Sequence, residues 1–279
     1  MSEPTQKEKA ERFRRMHHER PMLVLPNVWD AASARIIEQA GYRAIATTSS
    51  GLAASMGYRD GQQMSRETMI KATGRIVRSV ALPVTADIEA GYGATLAEKV
   101  ETARAVIATG AVGFNIEDSL PGQAGALASI ASQVELIAAL RAMASTLDVP
   151  IVINARVDVF LRAVGAPETR FDHAVERANA YLRAGADCVY PIGRLDHDVI
   201  ERLVRAIDGP INIMGAPSQP SLTELEQLGV ARVSLAGGLM RAALGHIARI
   251  ARELRETGDY AALAADALSG GEFGALFGD

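Results

Sequence analysis

Short apolar stretches recur along this chain, and each follows a glycine or a proline that ends the segment before it. Glycine stands at four of these junctions: Gly41, Gly110, Gly185 and Gly229. Proline opens the stretch at three others: Pro83, Pro150 and Pro210. Glycine is favoured just past the end of a helix because it adopts a left-handed conformation at little cost. Stretches that are apolar along their whole length are typical of strands buried on both faces, as in parallel sheets.

This pattern predicts eight strands, with helical periodicity in the intervals between them. The strands are Met22–Leu25, Ala44–Thr47, Val84–Ile88, Val112–Ile116, Ile151–Ala155, Cys188–Pro191, Ile211–Met214 and Val233–Ala236. The clearest helices are Leu96–Thr109, Ile130–Met143, Asp172–Ala184 and Ser221–Leu228. Strands that alternate with helices in this way predict an α/β fold of the (β/α)8 TIM-type barrel. Alternation alone is also compatible with a doubly wound open sheet, but eight units between residues 22 and 236 favour a closed barrel.

The chain shows no linker long or polar enough to mark a domain boundary, so residues 1–279 are expected to form a single barrel domain. Residues 1–20 are rich in charge and are predicted to form an N-terminal helical arm. Residues 239–279 hold more helix than one barrel unit needs, and we expect these C-terminal helices either to cap the barrel or to exchange between subunits. They comprise Leu239–Glu256, Tyr260–Leu268 and the glycine-rich tail Ser269–Asp279.

Composition excludes several classes of protein. A net charge of -4 at pH 7 argues against a general attraction to nucleic acid or to an anionic membrane. Cys188 is the single cysteine, so no intrachain disulfide can form and no oxidising compartment is indicated. No apolar run approaches the roughly 18–20 residues of a membrane span, and the charged N-terminal residues lack the apolar core of a signal peptide. We therefore expect a cytoplasmic protein.

Carboxylates follow two neighbouring predicted strands at the point where each strand ends. Asp87 and Glu89 close one strand, and Glu117 closes the next. Residues two apart on a strand point to the same face, and the C-terminal ends of parallel strands converge on one face of a barrel. Taken singly, each acid could be a solvated charge or a helix cap. Taken together, hard oxygen ligands with open positions suit Mg²⁺ or Mn²⁺ and predict a metal-dependent enzyme.

The residues that other catalytic mechanisms require are absent from the predicted strand ends. The four lysines lie in the arm or in helical patterns, which excludes a Schiff-base mechanism at a strand end. The five histidines are placed likewise, and His17 and His18 are expected on the solvated surface of the arm. Cys188, in mid-strand, is expected to be an inert buried thiol. Neither a phosphate-binding Gly-x-x-x-x-Gly-Lys-Ser/Thr loop nor a Rossmann glycine fingerprint is present.

Four further groups are candidates for binding an anion or a substrate oxygen. Arg156 carries a planar fork that can hold a carboxylate, although it could instead pair with Asp158 or with an acid of a neighbouring strand. The segment Thr47–Gly51 is expected to be a loop whose backbone amides bind an anion. Asn212 could hydrogen-bond a substrate oxygen or serve a structural role. The pair Gly237–Gly238 fits either a phosphate site or an ordinary tight turn.

These residues, in this order, resemble the isocitrate lyase / phosphoenolpyruvate mutase superfamily from about Pro26 to Leu239. The segments that carry the resemblance are Pro26–Ala34, Asp87–Gly93, Ile116–Asp118 and Ala155–Asp158. The resemblance implies a TIM-type barrel that binds Mg²⁺, directly or through water, with Asp87, Glu89 and Glu117. It also implies an assembly as a homotetramer in which a C-terminal helix is exchanged.

The same resemblance implies the roles of the remaining site residues. Asp60 matches a loop aspartate near the reacting centre, so the implied catalytic residues are Asp60, Arg156 and Glu117. The implied substrate-binding residues are Ser49, Ser50 and Gly51, through their backbone amides, together with Arg156 and Asn212.

One segment departs from the family pattern. Lyases of the superfamily carry a Lys-Lys/Arg-Cys-Gly-His loop whose cysteine donates a proton, whereas the corresponding stretch Ser119–Leu127 has no cysteine, lysine or histidine. This departure argues against an isocitrate or methylisocitrate lyase. The Gly- and Ala-rich segment Leu120–Ala128 is nevertheless expected to act as a lid. Glu89 also replaces the second aspartate of the family motif, which lengthens one ligand arm.

Three hypotheses follow. The first is a Mg²⁺-dependent lyase or decarboxylase that cleaves a C–C bond of a small 2-oxo or 2-hydroxy dicarboxylate through an enolate. The second is an enzyme similar to phosphoenolpyruvate mutase or phosphonopyruvate hydrolase, which acts on a P–C bond. The lack of cations between Ser119 and Leu140 counts against this second hypothesis. The third is a barrel that binds a carboxylate ligand without turnover.

Overall fold

Nine short parallel strands form the wall of a barrel in the computed structural model, which describes residues 4–265 and 267–277. The strands are β1 (Leu23–Leu25), β2 (Asn27–Val28), β3 (Ile45–Thr47), β4 (Val84–Asp87), β5 (Gly113–Ile116), β6 (Val152–Val157), β7 (Cys188–Pro191), β8 (Asn212–Met214) and β9 (Arg232–Ser234). All eight predicted strands are present, with bounds that shift by one or two residues. The ninth strand, β2, was not predicted: it lies just beyond the first predicted strand and is separated from β1 by Pro26, which has no N–H to donate.

The barrel closes because β1 and β2 pair with different neighbours. β2 begins the run β2-β3-β4-β5-β6-β7, whereas β1 pairs with β9 in the run β1-β9-β8. A parallel bridge between Val189 and Ile211 connects β7 to β8 and completes the ring. The prediction of an α/β (β/α)8 TIM-type barrel with extra C-terminal helices is therefore confirmed.

Helices connect the strands and cover the outside of the barrel. They are α1 (Gln6–Arg15), α2 (Ala31–Gln39), α3 (Ser49–Ser55), α4 (Arg66–Ser79), α5 (Leu96–Ala108), α6 (Ile130–Ser145), α7 (Arg170–Arg183), α8 (His197–Ala206), α9 (Leu222–Leu228), α10 (Gly238–Thr257), α11 (Ala261–Ala264) and α12 (Gly270–Ala275). Side-chain caps fix several starts, as where the Thr95 hydroxyl accepts from the backbone N–H of Glu98 at 3.2 Å and Glu98 bonds back.

α1 closes the barrel at the N-terminal ends of its strands. Its Phe13 packs in a buried cluster with Leu23 and Val152, which lie at strand starts. His17, which follows the helix, is buried there, so the expectation of a solvated His17 is wrong, while His18 is exposed. The reason is that the arm docks under the barrel and carries its last turn inward. Burial lowers the pKa of His17 to about 3, and the guanidinium of Arg232 acts in the same direction.

The C-terminal segment is less regular than the sequence predicts. The helix expected over Tyr260–Leu268 is only α11, four residues long, and the expected glycine-rich tail contains α12, which Ser269 caps. Residues 266, 278 and 279 of this segment lie outside the described residues. Several large apolar side chains here are exposed: Leu244, Ile247, Leu263, Phe273 and Phe277. None of the described helices combines the length and the hydropathy that a membrane crossing requires.

Candidate active site

Two adjoining cavities open at the C-terminal ends of the strands, with volumes of about 530 and 670 Å³. The first is lined by Glu89, Glu117 and the segment 119–124. The second is lined by Asp87, Asn115 and Tyr190, among others. Four residues line both cavities, which therefore form one continuous site: Ser49, Asp60, Arg156 and Leu161.

Asp87 ends β4 and is held by backbone groups. Its own N–H donates to the Thr47 hydroxyl at 2.9 Å. One of its carboxylate oxygens accepts from the Ser49 N–H at 3.3 Å, and the other accepts from the Glu89 N–H at 3.3 Å. No cationic side chain of the described chain pairs with Asp87 in these contacts, so its carboxylate remains available to a positive charge in the cavity.

Glu89 lies beyond the strand, in a left-handed backbone conformation with φ of 51°. The strand rule that predicts its direction from Asp87 therefore does not apply, because β4 ends two residues earlier. Its carboxylate accepts from the Gln62 N–H at 2.8 Å and from the Tyr92 hydroxyl at 2.5 Å. Burial raises the pKa of Glu89 to about 7, the Tyr92 hydrogen bond opposes this shift, and Asp87 adds to it.

Glu117 and Arg156 form a buried ion pair, with 2.7 Å between a guanidinium nitrogen and a carboxylate oxygen. The other side of the Arg156 fork bonds Asp158, at 2.8 Å from Nη2 and 3.2 Å from Nε. Both pairings that the sequence left open for Arg156 are thus present. Burial raises the pKa of the Glu117 carboxyl, and the Arg156 guanidinium offsets part of that shift.

Two neighbouring acids that the sequence analysis did not assign to the site, Asp158 and Asp118, hold this ion pair in place. Asp158 is fully buried and accepts from the Ser119 hydroxyl at 2.7 Å as well as from Arg156. Asp118 accepts the Asp158 N–H at 2.9 Å and bonds Arg177 and Tyr181 on α7 at 3.0 and 2.8 Å. The Arg-x-Asp spacing could have pointed to Asp158, because residues two apart on a strand share a face.

Ser49, Ser50 and Gly51 do not form the expected loop. They make the first turn of α3, whose start lies at the cavity and leaves backbone N–H groups without partners inside the helix. One of these, the Ser49 N–H, donates to the Asp87 carboxylate. Ser49 and Ser50 line the second cavity, whereas Gly51 packs against Trp29, where an added Cβ would lie 2.9 Å from the Trp29 Cβ. Gly51 is thus explained by close packing.

Asn212 lies deeper than expected for a residue that contacts substrate. It is completely buried, its Nδ2 donates to the Ser234 hydroxyl at 3.1 Å, and it lines neither cavity in the part of the chain that the structure describes. The inward-facing residue that reaches the cavity from β8 is Met214, two positions nearer the strand end. On the neighbouring strands β7 and β9, the polar residues Tyr190 and Ser234 line the second cavity.

Asp60 stands on the loop before α4 and faces both cavities. Burial and the nearby Asp87 raise its pKa, while hydrogen bonds from Ser49 and Gly61 lower it. Its position near Asp87 brings a fourth carboxylate to the site.

The segment predicted as a lid covers the first cavity. Ser119 and Leu127 form an antiparallel bridge at its base, and Gly122 and Gly125 have the left-handed conformations that let it turn back. Arg162 donates to the Ser119 hydroxyl at 3.0 Å and lines the same cavity. A cation therefore does reach this cavity, supplied by a different segment of the chain.

The donor set fits a hard divalent cation held largely through water. Asp60, Asp87, Glu89 and Glu117 share the site, and the ion pairs of the described residues include one of them, Glu117 with Arg156, so their charge is incompletely compensated. Among residues 4–265 and 267–277, no three His, Cys, Asp or Glu side chains converge closely enough to enclose an ion directly. Mg²⁺ commonly uses one or two carboxylates and keeps several waters, which this spacing allows.

Comparison with known proteins gives a consistent result. The profile of the phosphoenolpyruvate phosphomutase family matches residues 13–255. A crystal structure from Burkholderia cenocepacia J2315, provisionally assigned as a lyase/mutase, is 37% identical with a TM-score of 0.91, covering 98% of this chain and 97% of that one.

A 2-methylisocitrate lyase of Halalkalibacterium halodurans is 31% identical over 245 residues, which cover 85% of this chain and 74% of the relative. A phosphonopyruvate hydrolase crystallised with oxalate and Mg²⁺ is 25% identical with a TM-score of 0.84, covering 96% of this chain and 94% of that chain. The profile match and the fold together confirm the resemblance seen in the sequence: this chain belongs to the phosphoenolpyruvate phosphomutase family, within the isocitrate lyase / phosphoenolpyruvate mutase superfamily.

Proposed function

We propose that this protein is a Mg²⁺-dependent lyase or decarboxylase that cleaves a C–C bond of a small 2-oxo or 2-hydroxy dicarboxylate through an enolate. The observation that carries the proposal is the convergence of Asp60, Asp87, Glu89 and Glu117 with Arg156 on one cavity at the C-terminal ends of the strands. The 2-methylisocitrate lyase similarity supports C–C cleavage by the family. The activity is expected in the cytoplasm.

The cationic and the anionic residues of the site have different proposed roles. Arg156 and the amides of Ser49 and Ser50 bind carboxylates of the substrate and orient the bond to be broken. Asp60, whose pKa is raised by burial, accepts the proton of a 2-hydroxyl group when such a substrate is cleaved. The ion pair with Arg156 keeps the Glu117 carboxylate in a fixed position beside the bond that is broken.

Asp87, Glu89 and Glu117 would hold Mg²⁺, or Mn²⁺, directly or through water. When bound, the ion would supply Lewis-acid stabilisation of the negative charge that develops on the 2-oxo and carboxylate oxygens.

A substrate panel tests the proposal. Oxaloacetate, 2-methylisocitrate, 2,3-dimethylmalate, phosphonopyruvate and phosphoenolpyruvate are each incubated with and without Mg²⁺, and products are followed by ¹H and ³¹P NMR. We expect Mg²⁺-dependent loss of a carbon acid with an unchanged phosphorus spectrum. If no substrate of the panel is converted while Mg²⁺ and a carboxylate still bind, the result would favour a barrel that binds its ligand without turnover.

Cleavage of a P–C bond is the second candidate. It is favoured by one observation that the sequence did not suggest, namely that Arg162 lines the first cavity beside the segment 119–124. A guanidinium there suits a phosphonate as well as a carboxylate. The phosphonopyruvate hydrolase similarity supports it too. A Mg²⁺-dependent phosphorus shift in the panel would assign the enzyme to this second reaction.

The C-terminal helices suggest how copies of the chain associate. Leu244 and Ile247 on α10 and Phe273 and Phe277 near α12 expose large apolar side chains, which single proteins rarely leave uncovered as a contiguous patch. We propose a homotetramer in which residues 239–279 pack on a neighbouring subunit. Sedimentation velocity should show a tetramer, and a monomer at micromolar concentration would rule out this assembly.

A further inference from the structure

Tyr190 on β7 is a buried phenol whose hydroxyl has no partner. The residue is 2% exposed, it lines the second cavity, and its Cα pairs in register with that of Arg156 on β6. Its hydroxyl has no hydrogen-bond partner among the described residues. Because a buried tyrosine hydroxyl usually finds a partner, an orphan that borders a cavity points to a group supplied by the ligand.

Two guanidinium groups, those of Arg156 and Arg232, act electrostatically on this phenol. Arg232 on β9 is completely buried, bonds only the uncharged groups of Ser234 and Asn115, and keeps one nitrogen unpartnered in the described structure. Burial raises the pKa of Tyr190, and Asp87 and Asp158 add to this shift, whereas Arg156 and Arg232 oppose it. The two guanidinium charges would thus stabilise part of a negative charge formed on the phenol oxygen.

The other groups that line the cavities are poor sources of a proton for carbon. The segment 119–128, where the superfamily's lyases carry a cysteine, has no ionisable side chain. The arginines keep their protons. Asp87, Glu89 and Glu117 must be ionised to hold a cation, and Asp60 is assigned above as a proton acceptor. The other hydroxyls that line the cavities are aliphatic and intrinsically weaker acids than a phenol: Thr48, Ser49, Ser50, Ser119 and Ser234. Tyr190 is the phenol among the described residues that line these cavities.

We propose that Tyr190 is the catalytic proton donor that quenches the enolate at C3. This inference rests on the proposed function and adds the group that the lid lacks. When the bond at C3 breaks, its electron pair enters the enolate. The O–H bond of Tyr190 then breaks, its proton bonds C3 as the enolate electrons return to carbon, and the charges of Arg156 and Arg232 stabilise the phenolate that remains. A water molecule returns a proton to the phenolate and leaves as hydroxide.

The test uses the full chain, Mg²⁺ and pyruvate, the smallest 2-oxo acid that forms this enolate. By microscopic reversibility, the Tyr190 phenolate also removes a C3 proton from pyruvate, so the wild type should exchange the methyl hydrogens in D₂O, as followed by ¹H NMR. Tyr190→Phe should slow this exchange by about 100-fold or more, while the Kd for pyruvate stays within about threefold. Tyr42→Phe, a half-exposed tyrosine after α2, is the matched control and should exchange like the wild type.

Oxalate gives a readout that needs no turnover, because one of its oxygens stands where the enolate CH₂ would lie. Tyr190→Phe should weaken oxalate binding by about threefold to tenfold, the loss of one hydrogen bond, as measured by calorimetry. Exchange that is equal in Tyr190→Phe and in the wild type would overturn the proposal and leave the proposed function intact. A parallel loss of pyruvate binding and exchange would overturn it too, because Tyr190 would then be a binding residue. A wild type that binds oxalate but exchanges nothing would remove the proposed function and the proton donor together.

Discussion

The wall formed by the ends of β4, β5 and β6 differs from the wall formed by β7, β8 and β9 in charge and in how its polar groups are satisfied. The acidic wall (Asp87, Glu89 and Glu117) has each carboxylate held by hydrogen bonds or by Arg156. The basic wall has Tyr190 and Ser234 at the cavity, with Asn212 and Arg232 buried deeper at the starts of β8 and β9. These four residues include no carboxylate, and three of their side chains keep an unpartnered atom within the described structure. The acidic wall is built to receive positive charge, and the basic wall is built to receive negative charge.

This asymmetry has a chemical meaning for the proposed reaction. A cation and the oxygens that it would polarise belong at the acidic wall, whereas the electron-rich carbon formed by bond cleavage is quenched from the basic wall. Excess charge on both walls costs folding free energy, because buried charges without partners are poorly solvated. Such costs are commonly found where a site must bind something that the protein itself does not contain.

The largest expected effect comes from removing one charge of the acidic wall. Glu117→Gln keeps the shape of the side chain but removes a proposed cation ligand, so turnover should fall by about 1000-fold or more, as for loss of one electrostatic group of an active site. Calorimetry should show weaker Mg²⁺ binding, and circular dichroism should show an unchanged fold. The matched control is Glu67→Gln on the outer surface of α4, which should behave like the wild type. Full activity in Glu117→Gln would remove this residue from the site.

The two walls should also differ in how much a buried arginine, Arg156 or Arg232, contributes to the free energy of unfolding. Arg156→Met leaves Glu117 buried without its cationic partner and leaves Asp158 with the more distant Arg162 at 3.8 Å, so the free energy of unfolding should fall by about 3–5 kcal/mol. Arg232→Met removes a buried cation that pairs with no carboxylate in the described structure, so the free energy of unfolding should stay within about 1 kcal/mol or rise. Urea unfolding of both variants measures the difference. Equal destabilisation would mean that the basic wall holds a compensating charge.

Much of the fold could be predicted because its signals are local. Glycines and prolines mark where strands begin, and uninterrupted apolar stretches identify strands buried on both faces. The acids at the ends of β4 and β5 could be recognised for the same reason, since a carboxylate at the end of a parallel strand has one face to occupy. These inferences need only the order of residues along one segment.

The remaining features depend on contacts between segments. Glu89 was assigned to a strand face, yet its direction is set by a left-handed turn that the Gln62 amide and Tyr92 stabilise from outside β4. Asn212 was assigned to the cavity, yet depth within a barrel depends on how neighbouring strands are staggered. His17 was assigned to the surface because nothing in the arm itself records that it docks beneath the barrel.

His17, buried at the N-terminal ends of the strands, makes stability depend on pH. Arg232 of the basic wall contributes to this effect because it lowers the pKa of His17. The pKa of His17 is about 3 in the folded protein, below its ordinary value of 6.5. At pH values between 3 and 6.5, the folded state therefore binds fewer protons than the unfolded state. Stability is therefore complete above about pH 6.5 and is lost as the pH falls from there towards 3, at about 1.4 kcal/mol per pH unit. Between pH 7 and 5 the wild type should lose about 2 kcal/mol more than His17→Gln, as measured by urea unfolding. The control His18→Gln, at an exposed position, should follow the wild type.

Tyr92→Phe should have the smallest effect and tests how firmly the acidic wall is held. The substitution keeps the ring but removes the hydroxyl that bonds the Glu89 carboxylate at 2.5 Å, so the free energy of unfolding should fall by about 1 kcal/mol. Because this hydrogen bond lowers the pKa of Glu89, its loss should raise that pKa above about 7. A proton then competes more strongly for the carboxylate, and Mg²⁺ affinity at pH 7 should fall about threefold.

Calorimetric Mg²⁺ titrations at pH 7 and 8.5 measure the change in Mg²⁺ affinity. Tyr58→Phe, at an exposed position, is the control. A loss of affinity that is equal at both pH values would contradict proton competition and would mean that Tyr92 acts on the position of Glu89 alone.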